Sequence, residues 1–157
     1  MPKIDREILI AARPEQVWEI LSDTHHVPKL YPDLLSIKFE PHVPAVVGQR
    51  RTLTGKIGKR MIEIHTRVAE VVPVKRLVVV GGRGGAFEEF RQTVELSETA
   101  EGTKVHVTYH FKISEAYFGP EFYIPVLEQA AIENEDNYLK NLKEIAELEP
   151  PKSESET

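Results

Sequence analysis

The chain has 157 residues, a net charge of −5, 41% hydrophobic and 29% charged residues, and no cysteine, values that suit one globular domain with a real core. Disulfides, thiolate chemistry and cysteine-bound zinc are thereby excluded, and the acidic balance argues against nucleic acid as a partner. No apolar run approaches the roughly 18 residues of a membrane span, and Met1 to Asp5 contains no basic segment leading into an apolar stretch, so the expected location is the cytoplasm.

In chain order, the first signal is Ile8 to Asp23, ILIAARPEQVWEILSD, where an apolar strand passes directly into a short helix. Pro14 suits the first helical turn, where its missing N–H has no partner to lose, and Val17, Ile20 and Leu21 mark one buried face with Trp18 as a core anchor. Thr24 to Asp33, interrupted by Pro28 and Pro32, reads as a second short helix or turn. Alternating strands follow: Leu35, Ile37 and Phe39, then Gly48 to Lys56, then Ile62, Ile64, Thr66 and Val68. Arg76 to Val80 is apolar in both frames and runs into Gly81-Gly82-Arg83-Gly84-Gly85, a hairpin rather than a phosphate loop because strands flank it on both sides. Ala86 to Glu98 resumes as a strand. Lys104 to Ile113 alternates without error, so one face of this antiparallel sheet meets solvent.

After a turn at Gly119-Pro120, a long helix is predicted from about Pro125 to Leu148, with Pro150 stopping it. Its apolar stripe reads Leu127, Ala131, Asn134, Tyr138, Leu142 and Ile145, with Asp136, Lys140 and Lys143 opposite. At about 1.5 Å per residue this helix reaches roughly 36 Å, whereas seven strands about 4.8 Å apart span roughly 29 Å, so one helix can cross the whole sheet. The expected organisation is a single domain over residues 1–149 and a disordered acidic tail over 150–157, which has no apolar residue to bury.

The strand, Pro-led helix, strand series and closing helix resemble the helix-grip superfamily of START-like, Bet v 1-like and polyketide-cyclase-like (SRPBCC) domains, over about residues 3 to 148. The implied fold is α+β: a curved antiparallel sheet of about seven strands wrapped around a long C-terminal helix, with two short helices after the first strand. Members of that superfamily hold a hydrophobic small molecule between helix and sheet. The small residues Ala130, Ala131 and Asn134 at mid-helix fit such a hollow, although they equally allow close approach of helix and sheet.

The residues assigned to this ligand site are Tyr31 and Tyr123 at its entrance, Phe90, Gln92, Tyr109 and Phe111 on the sheet, and Leu127, Ala131, Asn134 and Tyr138 on the helix. Gln92, Tyr109 and Asn134 are its inward polar groups; they either orient a ligand or satisfy one another, for instance through a Gln92–Asn134 pair. Glu88 falls in the same frame as Phe90 and Gln92, at the rim.

Three functions remain open. The first is binding of a lipid, polyketide-like or quinone-like molecule. A polyketide cyclase or dehydratase activity would draw on Glu88, Tyr109 and His26 as catalytic acid–base candidates, without a tight constellation among them. A protein-interaction domain like the Hsp90-activator branch would expose an apolar patch. His106 and His110 lie too far apart along an extended strand to chelate a metal together, no serine-nucleophile elbow is present, and neither a metal nor any other cofactor is expected. The expected state is a monomer or weak homodimer, free of integral membrane association.

Overall fold

The computed structural model describes residues 2–57, 59–81 and 84–148. The first strand, β1 (Lys3–Ile10), gives way to α1 (Pro14–Ser22), with Arg13 still extended at the N-cap and Pro14 in the first turn. α2 (Val27–Leu30) is a single turn that buries Val27 and Leu30. Six strands follow: β2 (Ser36–Glu40), β3 (Arg50–Ile57), β4 (Arg60–Val72), β5 (Arg76–Gly81), β6 (Phe87–Thr99) and β7 (Gly102–Ile113). α3 (Glu115–Phe118), a turn absent from the sequence prediction, is capped by the Ser114 hydroxyl accepting from the Tyr117 amide. α4 (Ile124–Leu148) follows as one unbroken rod. The tail predicted from residue 150 onward lies outside the described residues.

All strands join one antiparallel sheet in the order β1-β7-β6-β5-β4-β3-β2, so the first strand pairs with the last and leaves β1 and β2 as its edges. Its inner face is apolar, as on β7, where Val105, Val107, Tyr109, Phe111 and Ile113 are buried. The outer face is charged. There Arg76 bridges Glu70 and Glu95, and His106 meets Asp5 at 3.1 Å.

Two register shifts bend this sheet, one between Val68 and Glu70 and one between Phe87 and Glu89. The second changes the expected frame of β6. Phe87 takes the inward place and Glu88 turns outward, where it is exposed and pairs with Lys112 at 3.3 Å. Gly81 also serves the bend: a Cβ there would collide with the Cβ of Phe90, so only glycine lets these strands approach as they do.

α4 packs differently along its length. Its C-terminal half, Tyr138, Leu139, Leu142 and Ala146, belongs to a solid core with Ile10, Val17, Ile20, Leu21, Leu30, Val94, Leu96, Val105 and Val107. Trp18 is half-buried and links this core to a smaller cluster of Ala45, Val68, Leu77 and Val79. Its N-terminal half, Leu127 and Ala131, meets Ile62, Ala86, Phe87, Tyr109, Phe111, Ile113 and Phe118. Leu142 is 0% exposed and Leu148 is 83% exposed. Leu142→Ala is therefore expected to lower unfolding free energy by about 3 kcal/mol, and Leu148→Ala by less than about 0.5 kcal/mol, in urea titrations followed by circular dichroism.

Candidate functional site

A hollow of about 200 Å³ lies beside the N-terminal half of α4. Its helical wall is Leu127, Ala130, Ala131, Asn134 and Asn137; its sheet wall is Gly55, Ile57, Ile62, Ile64, Ala86, Phe87 and Ile113, and the segment from Leu30 to Leu34 closes one side. Small side chains at Ala130 and Ala131 keep the helix from filling the gap. Ala130, Asn134 and Asn137 are exposed as well as lining it, so the hollow opens along this flank of α4.

The Phe118 side of the hollow is braced by a cation. Arg60 donates to the carbonyls of Tyr117 and Phe118, and its guanidinium lies 5.0 Å from the Tyr117 ring centroid and 5.4 Å from those of Phe118 and Phe122. The Tyr117 hydroxyl accepts in turn from the Glu63 amide at 2.9 Å. α3 is thus tied to the β3–β4 hairpin by polar and cation–π contacts together.

Between the hollow and the solid core sits a belt of polar and aromatic groups. Gln92 Nε2 donates to Glu135 Oε1 at 2.6 Å and to the Tyr31 hydroxyl at 3.2 Å, and Tyr31 stacks on Tyr138 with ring centroids 4.9 Å apart. Gln92 is 4% and Glu135 3% exposed. Burial raises the Glu135 pKa to about 7, with the Gln92 hydrogen bond opposing and the Asp136 charge adding to the rise. Burial and the Glu135 charge also push Tyr31, Tyr109 and Tyr138 well above the ordinary phenol range.

The residues singled out from sequence are distributed over these parts. Tyr31, Leu127, Ala131 and Asn134 line the hollow. Gln92 and Tyr138 belong to the belt, whereas Phe90, Tyr109 and Phe111 form an aromatic wall behind it, Tyr109 stacking on Phe111 at 4.7 Å and meeting Phe90 at 5.2 Å. Tyr123 is 70% exposed and does not line the hollow. His26 is held by Asp23 at 2.8 Å. Asn134 is not the partner of Gln92, because the buried stripe is shifted around α4: Glu135, Leu139 and Ala146 face inward where Asn134 and Ile145 were expected.

Glu135 is hidden in the sequence because an acid on an otherwise apolar helix face reads as the edge of that face. The signal that identifies it is its spacing, four residues after Ala131 and three before Tyr138, opposite an inward glutamine that needs a partner. Among the described residues, no group of three His, Asp or Glu side chains could hold a metal ion, and no helix is long and apolar enough to cross a membrane.

The family described as polyketide cyclase/dehydrase and lipid transport matches residues 1–147. The chain belongs to this family. Solved structures reproduce the fold of this family member at low sequence identity. The aromatase/cyclase Zhui of Streptomyces sp. R1128 superposes with a TM-score of 0.75 at 14% identity, covering 93% of this chain and 93% of the other. The protein TTHA0849 of Thermus thermophilus gives 0.73 at 20% identity, covering 91% and 95%, and Ara h 8.0201 gives 0.70 at 13% identity, covering 92% and 97%. No curated protein matches the chain by sequence.

The raised Glu135 pKa makes stability depend on pH. Below the ordinary value of 4.5 the acid is neutral in both folded and unfolded chains; between 4.5 and about 7 only the unfolded chain ionises, so this site lowers stability as pH rises. The loss totals roughly 3 kcal/mol and levels off above the folded-state value. In urea titrations, Glu135→Gln should gain at least about 1 kcal/mol on the wild type at pH 8 relative to pH 5. An equal difference at both pH values would contradict this.

Proposed function

We propose that this protein binds an apolar or aromatic small molecule, of lipid, polyketide or quinone type, in the hollow between α4 and the sheet. The observation that carries this reading is an apolar hollow of about 200 Å³, open along one flank of α4, with the Tyr31 side chain in its wall and the Gln92–Glu135 pair behind that tyrosine. Drug-sized sites run to ~300–1,000 Å³, so the guest is small, on the order of one or two fused rings or a short acyl chain. Burying roughly 200 Å² of its apolar surface contributes about 5 kcal/mol before ordering costs, which gives modest affinity unless polar contacts add to it. The family's description, which names both cyclases and lipid transport, supports the same class of ligand.

Native mass spectrometry of protein purified from cells should show a small apolar adduct that denaturing spectra lack. In solution, 1-aminoanthracene fluorescence should rise on binding the wild type. Ala131→Phe, which places a ring inside the hollow, should weaken that binding at least tenfold while leaving the melting temperature within a few degrees. Equal probe binding by both proteins would overturn the assignment.

Cyclase-type proton transfer is a second reading, and Glu135 favours it over Glu88 or His26 as the acid. A pKa of about 7 keeps both of its protonation states populated near neutral pH. In that reading Glu135→Gln loses turnover of an aromatic polyketide substrate yet still retains a bound guest; undiminished turnover removes it.

A further inference from the structure

All three asparagines of the chain, Asn134, Asn137 and Asn141, lie on α4. Spacings of three and four residues set them in one row, along the flank that meets the Leu30 to Leu34 segment. Asparagine is a poorer helix former than alanine because its amide competes for nearby backbone groups, so three of them inside one helix run against local preference. Asn141 has a structural use: its amide donates to the Leu30 carbonyl at 3.2 Å. Asn134 and Asn137 have no such use. Both line the hollow, both are exposed, and neither has a hydrogen-bond partner among the described residues.

Solvation alone does not call for an amide at these positions. Elsewhere on this stretch of α4 the exposed side chains include Glu133, Asp136, Lys140 and Glu144, all charged, whereas the row beside the hollow is neutral. The hollow is also graded from carbon to polar atoms. Its buried side chains, Ile62, Phe87, Ile113 and Leu127 among them, are apolar, and the two amides stand at its open flank. The two formal charges in its lining, Asp33 and Lys56, are exposed and opposite in sign, so together they favour neither an anionic nor a cationic group.

We infer that Asn134 and Asn137 form a collar that reads a neutral hydroxyl group, so that the guest is an apolar alcohol or phenol held with its hydroxyl at the opening and its carbon skeleton inward. The inference rests on the ligand-binding reading above and narrows it. An amide offers an N–H donor and a carbonyl acceptor, and a hydroxyl uses both. The hydroxyl donates its proton to the carbonyl of one asparagine, and its oxygen accepts from the N–H of the other. A carboxylate or a ketone has no proton to give and leaves the amide carbonyls unused. A few polar groups at the edge of an apolar site fix the orientation of the guest, while the buried wall supplies the area.

The test is competition near neutral pH, in which the full chain holding 1-aminoanthracene is titrated with 2-naphthol and with 2-methylnaphthalene, a match in shape that has neither donor nor acceptor. The wild type should bind 2-naphthol at least as tightly, although 2-methylnaphthalene is the more hydrophobic. Asn134→Ala and Asn137→Ala should each lower the ratio of the two affinities about fivefold, the scale of one neutral hydrogen bond, and the double variant should lower it at least about tenfold. Its melting temperature should hold or rise, because alanine is the better helix former. A smaller shift in the ratio overturns the collar, and so does a lower melting temperature, which would mark the amides as structural. If the wild type binds 2-methylnaphthalene more tightly than 2-naphthol, the collar falls and the ligand-binding reading stands. If the wild type binds none of the three compounds, both readings fall together.

Discussion

The Gln92–Glu135 hydrogen bond, 2.6 Å long and almost wholly buried, is the contact on which the interior is organised. It joins the middle of the sheet to the middle of α4, the two layers of the fold. An amide facing a carboxyl group is satisfied only within a narrow range of separation and orientation, whereas apolar contacts are non-directional. This bond therefore fixes the rotation of the helix about its own axis. With Glu135 turned inward, Ala131 faces the sheet and Ala130, Asn134 and Asn137 fall along the open flank.

That rotation divides the molecule into a half that is filled and a half that is not. On one side of the belt, branched side chains from α1, β1, β6 and β7 close around Leu142. On the other, two alanines meet a wall of isoleucines and phenylalanines and leave room. The separation also accounts for the brace found beside the hollow, Arg60 on α3, which supplies by directed contacts the rigidity that tight packing supplies elsewhere.

Much of this architecture was legible in the sequence. Pro14 announced the strand-to-helix switch, the clean alternation from Lys104 to Ile113 gave a one-sided strand, and the length of the last helix implied a single rod across the sheet. The losses occurred where a periodic rule meets a local exception. A bulge between Phe87 and Glu89 reversed the face of Glu88, an effect that alternation cannot reveal. The polar character of Glu135 hid it, since its burial depends on Gln92, 43 positions away in the chain. Arg51 was equally opaque: it lies in the run Gln49-Arg50-Arg51, where an inward-facing arginine looks like its outward neighbour. Asn134 was one position from the true contact, and on a helix one position is enough to leave the core for the opening.

The sheet never closes on itself, and its second edge is a strand of only five residues, β2, beside the segment that walls the hollow. A closed barrel admits a guest only through its ends or by parting hydrogen-bonded neighbours. Here the hollow opens between a helix flank and a loop, which are joined by a hydrogen bond from the Asn141 amide to the Leu30 carbonyl at 3.2 Å and not by a strand ladder. Under the proposed binding role, a guest entering on this side would leave the strand ladder intact.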